Sequence, residues 1–220
     1  MKKIRFVALL LASFSASTCA SIFTDKEVLS VIAESPPVLV LDSKFVFQET
    51  DLDTGKITST YTWVVKEKKE YEGRLSYWID TTGGQGENFN IYDTNLNWKA
   101  FVVKGKKRTS AFPCIQELSW PLKVGKNWQT SYDYWDYLKG NSVRNASQLV
   151  IVESYEEVKV PAGIFQTFKI VRETIIFKVI NWYAPSIGIS VKRQIERTTD
   201  NPLGYGRFIA ELTEYDIPNK

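Results

Sequence analysis

The sequence predicts an all-β protein built on a single antiparallel, strongly curved sheet, with a short N-terminal helix. Runs of β-branched and aromatic residues recur at the spacing typical of all-β domains. Proline and glycine mark sharp chain reversals between these runs. The sheet is either a partly open barrel or a two-layer sandwich, and the aromatic residues carried by so many strands favour the barrel.

The chain begins with a predicted secretory signal peptide over residues 1–20. A basic start (Lys2, Lys3 and Arg5) precedes an apolar run that is too short to span a bilayer, followed by small residues. Thr18 and Ala20 permit cleavage after Ala20. In a second interpretation Cys19 is a lipidated N-terminus, although residues 16–18 match the lipoprotein preference poorly. The predicted location is therefore periplasmic or secreted, or the outer membrane if Cys19 is lipidated.

Residues 24–33 predict the N-terminal helix. Thr24 and Glu27 form a capping-box pattern, and Pro36 with Pro37 ends the segment. A helical apolar stripe lies between them, made of Val28, Leu29, Val31 and Ile32.

From residue 39 onwards the chain predicts strands joined by turns, in one domain over residues 21–220. A strand at 44–50 leads into a hairpin tip at 51–56. Alternating apolar residues then give strands with one apolar face, namely Tyr61, Trp63 and Val65, followed by Leu75, Tyr77 and Ile79. Later strands are predicted at 89–92, 98–103, 148–152, 165–179, 187–195 and 208–212.

The central stretches 120–128 and 158–179 carry the clearest turn signals. Proline pre-sets the turn backbone and lacks a ladder donor, and glycine tolerates the reversal. In the following strand Phe168, Ile170 and Arg172 share one face. We interpret five residues as structural turn residues: Pro121, Gly125, Pro161, Gly163 and Gly188.

Three spaced motifs here resemble a group of uncharacterised exported bacterial proteins with a domain of unknown function. The motifs are PLxVGKxW at 121–128, VxVPAGxF at 158–165 and YAPSIG at 183–188, and the resemblance covers roughly residues 90–195. Ile164 replaces the usual threonine, and Ser186 with Ile187 replaces Gly-Val. The resemblance implies a secreted or periplasmic β-rich domain and supplies no catalytic residues.

Charge and composition exclude several classes of function. The chain has 28 basic and 25 acidic residues, and the signal peptide holds three of the basic ones, so the remainder is balanced. No basic field is left to favour nucleic acid or anionic lipid. Without histidine the common catalytic triads and zinc sites cannot form, and we expect no cofactor or metal. Cys114 is the only cysteine after residue 20 and is interpreted as a small core residue.

Acidic residues offer two weaker hypotheses. Loops starting at Asp51 and Asp93 begin like calcium loops but lack the later ligands. Carboxylates could also pair as in glycosidases, although sequence spacing does not show that they meet. The residues concerned are Asp133, Asp136, Glu153, Glu156 and Glu157.

The stretch 128–137 concentrates five aromatic residues in ten positions. On a strand, Trp128, Tyr132 and Tyr134 point to one face, and Trp135 and Tyr137 to the other. Either both faces are covered, as in the middle of a barrel or sandwich, or one set lines a groove that stacks on sugar rings or encloses an acyl chain. These five are the candidate ligand contacts.

The sequence therefore predicts a non-catalytic exported envelope protein that binds an apolar or amphipathic ligand, or a partner protein, on its concave face. A carbohydrate-binding module is the alternative, and a carboxylate-based hydrolase comes third. Expected partners are a lipid, a glycan or an envelope protein. Nucleic acid is not expected, and the membrane is expected only if Cys19 is lipidated.

Overall fold

The computed structural model describes residues 31–218, which form fourteen β-strands and no helix. The strands are β1 (Ile32–Ala33), β2 (Lys44–Asp51), β3 (Ile57–Tyr71), β4 (Arg74–Asp80), β5 (Asn88–Asp93), β6 (Trp98–Val103), β7 (Lys106–Ile115), β8 (Leu122–Lys123), β9 (Asn127–Asp136), β10 (Asn141–Val160), β11 (Gly163–Glu173), β12 (Phe177–Ala184), β13 (Ile189–Arg197) and β14 (Gly206–Asp216). The predicted signal peptide and Cys19 lie outside the described residues.

Twelve of these strands close into one antiparallel barrel. Every barrel strand pairs with its neighbours along the chain, and the ring is completed by β14 pairing with β2, for example Leu212 opposite Phe47. The predicted all-β antiparallel class is therefore confirmed. The partly open barrel and the sandwich are both wrong, because the first and last barrel strands bond to each other and leave no free edge.

The predicted N-terminal helix is not seen. Residues 24–30 lie outside the described residues, and the described end of the segment is strand β1. Ile32 pairs with Lys123 and Ala33 with Leu122 of β8. Val31 and Ala33 pack against the fully buried core around Leu122, so tertiary contacts prevail over the local helical pattern. Residues 31–218 contain no helix long and apolar enough to cross a membrane.

The turn at residues 161–162 and the turn at Gly125 lie at the proline and glycine positions of the central stretches. β10 and β11 are joined by residues 161–162 alone, and Val160 pairs with Gly163. Gly125 has a φ of 84° in the turn between β8 and β9, and its N–H donates to the Val152 carbonyl at 2.9 Å. Pro121 directly precedes β8. These corners set the register of the strands that follow.

Two segments close one end of the barrel, and we call them the closing segments: residues 31–43 and residues 116–126. Because antiparallel strands alternate in direction, both segments reach the same end as the 161–162 turn. Leu39, Leu118 and Leu122 belong to the same core cluster as the inward residues of the strands. The Leu39 N–H donates to the Tyr77 hydroxyl at 3.2 Å, and the Leu118 N–H to Asn97 Oδ1 at 2.9 Å. Core and closing segments thus form one packed interior.

Candidate ligand-binding site in the barrel interior

A cavity of about 80 Å³ lies inside the barrel, between the strands and the closing segments. One wall is aromatic, with Phe47 stacked on Tyr61 at 5.4 Å between ring centroids and Trp63 tilted against Tyr92 at 6.4 Å. The cavity also has a polar side, made of Glu117, Asn181, Ser190 and Arg193. The cavity is therefore amphipathic.

Strand register explains why these residues meet. Phe47 lies opposite Tyr61 on β2 and β3, and successive inward positions of β3 hold Tyr61 and Trp63. On the other side Asn181 of β12 lies opposite Arg193 of β13. Because side chains alternate along a strand, the same parity that points the aromatic residues inward also points these two polar residues inward.

A buried ion pair lies beside the cavity. Arg172 Nη2 contacts Glu117 Oε1 at 2.9 Å, and the arginine side chain is only 5% exposed while the glutamate side chain is 23% exposed. Burial lowers the pKa of Arg172, and the Glu117 carboxylate opposes that shift. Arg172 belongs to β11, where it lies in a row with Val150 and Val179. The pair ties a closing segment to the barrel wall.

Arg193 has no such partner. Within residues 31–218 its guanidinium takes part in no ion pair or side-chain hydrogen bond, and its buried Nε has no acceptor. Arg172, Arg193 and Glu117 together carry one net positive charge. The carboxylate of Glu49 lies in the same register row, beyond Ala210, but its Oε1 accepts a hydrogen bond from the Thr58 hydroxyl at 2.8 Å.

Other buried polar groups inside the barrel also lack partners. The Tyr183 hydroxyl has none although the side chain is 2% exposed and lines the cavity. Gln148, also 2% exposed, has neither its amide nitrogen nor its oxygen paired. Burial raises the pKa of Tyr183, which keeps its hydroxyl protonated and able to donate. Buried groups of this kind are normally satisfied by water or by a ligand, so the interior can bind complementary polar groups.

The five aromatic residues predicted as ligand contacts lie on β9 and at its end, and none of them lines this cavity. Trp128, Tyr132 and Tyr134 share a face with Thr130, which is buried opposite Gln148. The Trp128 indole N–H donates to the Gln116 carbonyl at 3.2 Å, which anchors a closing segment. Tyr134 stacks on Trp98 at 6.3 Å.

Trp135 and Tyr137 belong to the other face. Arg144 lies over the Trp135 ring at 4.7 Å, and the Tyr137 hydroxyl is 3.1 Å from Ser110 Oγ. The inner and outer sets are therefore separated by the sheet, as the alternation predicted. Neither set is brought together with Arg193 and Asn181, which the sequence analysis did not single out.

The acidic loops have structural roles. Asp93 Oδ1 accepts backbone hydrogen bonds from Asn95 and Asn97, and Asp51 Oδ1 accepts them from residues 53 and 54. In the part of the chain that the structure describes, no group of three or more metal-ligating side chains is found.

None of the five carboxylates considered for glycosidase chemistry lines the cavity. Each is bound to a neighbouring group: Asp133 to Arg144, Asp136 to the Leu138 N–H, Glu153 to Lys169, Glu156 to Trp182 and Glu157 to Gln166.

Cys114 is half-buried near the end of β7. Burial, with a smaller contribution from the Asp93 carboxylate, raises the pKa of its thiol to about 11. The thiol is therefore protonated at neutral pH and has little nucleophilic character.

No family model matches the chain, and no curated protein matches it either. Among solved structures, it is similar to one described as a "putative exported protein with YmcC-like fold" from Bacteroides fragilis, with 14% identity over 83% of this chain and 99% of that one and a TM-score of 0.45. It is also similar to a "putative lipoprotein" from Parabacteroides distasonis, with 12% identity over 83% and 97% of the two chains and a TM-score of 0.34. Similarities this low assign neither a family nor a function to the chain.

Proposed function

We propose that this chain is a non-catalytic exported protein whose barrel interior binds a small amphipathic ligand. Export is proposed from the signal-peptide pattern of residues 1–20. Binding is proposed from one observation: an aromatic wall faces buried polar groups that have no partner within the described residues. Ligand sites in proteins combine apolar walls with a few converging polar groups in the same way.

The volume of the cavity limits the ligand. About 80 Å³ is well below the roughly 300–1,000 Å³ of pockets that enclose drug-sized molecules. The site accepts a small molecule, or the terminal group of a larger lipid or glycan, and does not enclose a whole acyl chain. A carrier that buries a complete lipid would need the closing segments to move.

The geometry of the aromatic wall bears on the carbohydrate-binding alternative. A carbohydrate-binding module would present its aromatic rings as a flat, exposed row. In this cavity the ring planes of Phe47 and Trp63 are inclined by 59°, and those of Trp63 and Tyr92 by 50°. These inclined rings favour a compact group inserted between them over a flat saccharide chain. Asn181, on the polar side of the cavity, can still bond a hydroxyl group.

A ligand titration followed by NMR tests the proposal. Benzyl alcohol, benzoate and hexanoate are added separately to the protein, and the resonances of the Trp63 indole and the Tyr92 ring are followed. We expect at least one compound to cause saturable shifts at these residues.

A cavity-filling variant gives the matching control. Ala210 lines the cavity and is 5% exposed, so Ala210→Ile occupies the volume and should abolish the shifts. Thr60→Ile adds a similar side chain at an exposed position of β3, beside Tyr61, and should leave them unchanged. Shifts that never saturate, or that persist in folded Ala210→Ile, would contradict binding in the cavity.

A further inference from the structure

We infer that the polar end of the ligand is a singly charged anion, such as a carboxylate, and that Arg193 binds it. This inference rests on the proposed binding function and specifies the class of ligand. The inference is supported by the buried charges and by the hydrogen-bond donors around the cavity that have no acceptor.

The charge balance of the interior favours an anion. Arg172 is paired with Glu117 at 2.9 Å, so the one carboxylate of the cluster is already engaged. Arg193 has its Nε buried without an acceptor. A partly desolvated guanidinium that lacks a counter-ion is costly, and an anionic ligand would remove that cost. Glu49 does not serve as the counter-ion, because it is bound by Thr58 and forms no ion pair with Arg193.

The groups around Arg193 suit a carboxylate or a similar oxyanion. A guanidinium offers a planar fork of donors that matches two oxygen atoms. Tyr183 adds a buried hydroxyl without a partner, and Asn181, directly opposite Arg193, adds an amide donor. Ala210, the residue opposite Arg193 on the other side, is small and leaves room beside the guanidinium.

Glu117 acts as an internal competitor in this arrangement. Its carboxylate also lines the cavity, and its negative charge repels an incoming anion. Glu117→Gln removes that repulsion but keeps a carbonyl oxygen as an acceptor for Arg172. The variant should therefore bind anions more tightly than the natural protein does.

The inference is tested with two probes of nearly equal shape. Benzoate carries a carboxylate, and benzyl alcohol carries a neutral hydroxyl group on the same ring. Dissociation constants are measured by NMR titration at constant ionic strength. For the natural protein we expect benzoate to bind about tenfold more tightly than benzyl alcohol, the size expected for a charge-assisted hydrogen bond.

Three variants separate the roles of the charged residues. Arg193→Gln should reduce benzoate binding at least tenfold and leave benzyl alcohol binding nearly unchanged, while Arg193→Lys should retain part of the preference. Glu117→Gln should strengthen benzoate binding several-fold. Arg207→Gln, which removes an exposed arginine paired with Asp53, is the surface control and should change neither constant.

Each result bears on a different claim. Equal binding of the two probes, or a benzoate preference that survives Arg193→Gln, would overturn the anion inference and leave the proposed binding function standing. Failure of both probes and of hexanoate to bind at all would overturn both. Because Arg193 forms no ion pair, Arg193→Gln should fold, and its far-UV circular dichroism is recorded alongside.

Discussion

At the scale of single residues, the contact between Arg172 and Glu117 shows how unequal the two partners of a buried ion pair are. Arg172 is almost completely enclosed, whereas Glu117 keeps 23% of its side chain exposed. Removing one partner leaves the other charge without compensation, and the cost grows with the burial of the charge that remains. The two single deletions are therefore not equivalent.

The first prediction concerns these deletions. Glu117→Ala leaves the buried arginine unpaired and should lower the free energy of unfolding by about 3 kcal/mol or more. Arg172→Met leaves the more exposed glutamate unpaired and should cost about half as much. Urea denaturation of both variants and of the double variant measures these losses. Equal costs for the two single variants would contradict the argument from unequal burial, and strict additivity in the double variant would show that the contact contributes little.

At the scale of elements, the closing segment 31–43 depends on a close approach to the turn before β13. Gly188 has a φ of 77°, and a Cβ atom built there would lie 2.9 Å from Leu39 Cδ2 and 3.0 Å from Pro37 Cγ. The Gly188 N–H also donates to the Ala184 carbonyl at 2.9 Å. A glycine is thus needed both for the backbone conformation and for the contact with the closing segment.

The second prediction separates these two requirements. Gly188→Ala should be destabilised by the left-handed backbone, about 1 kcal/mol, and by a further ~1–3 kcal/mol because Pro37 and Leu39 must shift. Gly73→Ala is a matched control, since Gly73 has a φ of 73° but nothing within 4 Å of its Cβ position. Thermal and urea unfolding compare the two. Equal losses would mean that segment 31–43 is loosely held.

At the scale of the whole molecule, enclosed tyrosines make stability depend on alkaline pH. Burial raises the pKa values of Tyr92 and Tyr183, and it raises that of Tyr71 to about 12. In the unfolded chain a tyrosine titrates near pH 10. Below about pH 10 both states keep their protons and stability is complete. Above it only the unfolded state releases them, so the free energy of unfolding falls as pH rises.

The third prediction concerns this loss of stability above about pH 10. Between about pH 10 and 12 the free energy of unfolding should fall by about 1.4 kcal/mol per pH unit for each such tyrosine. Tyr92→Phe should reduce the slope of the unfolding free energy against pH by the contribution of one tyrosine. Lysine residues also ionise in this range, but they contribute equally to the slopes of both proteins. Urea midpoints measured across this range give the slope. An unchanged slope in Tyr92→Phe would show that Tyr92 ionises freely in the folded barrel.

Much of this architecture is predictable from local sequence. Strand β6 has the predicted bounds, the 161–162 turn follows from Pro161 and Gly163, and the inner and outer aromatic residues of β9 follow from alternation. Closure of the barrel is not predictable in this way, because β14 and β2 meet only in the fold. The described end of the predicted helix is a strand instead, because β1 pairs with β8, about ninety residues away in the chain.

The candidate site was missed for a similar reason. Its residues come from β2, β3, β5, β12, β13 and β14 and from segment 116–126, and their proximity depends on the closed ring. One signal was nevertheless present: Arg172 shares a face with Phe168 and Ile170, which makes it a charged residue at an inward position. Asn181 and Arg193 are polar residues at inward positions in the same way. Such residues point to buried polar chemistry better than the aromatic cluster of β9 did.

Native mass spectrometry of the protein purified from its own cell envelope tests the central claim, an amphipathic ligand bound in the barrel interior, most directly. We predict a mass increment on the folded protein that disappears on denaturation, a released species with an acidic group, and no increment in folded Ala210→Ile or Arg193→Gln. The same spectra give the mature N-terminus and any lipid on Cys19. A ligand-free mass for the natural protein, or the same increment on all three proteins, would contradict the claim.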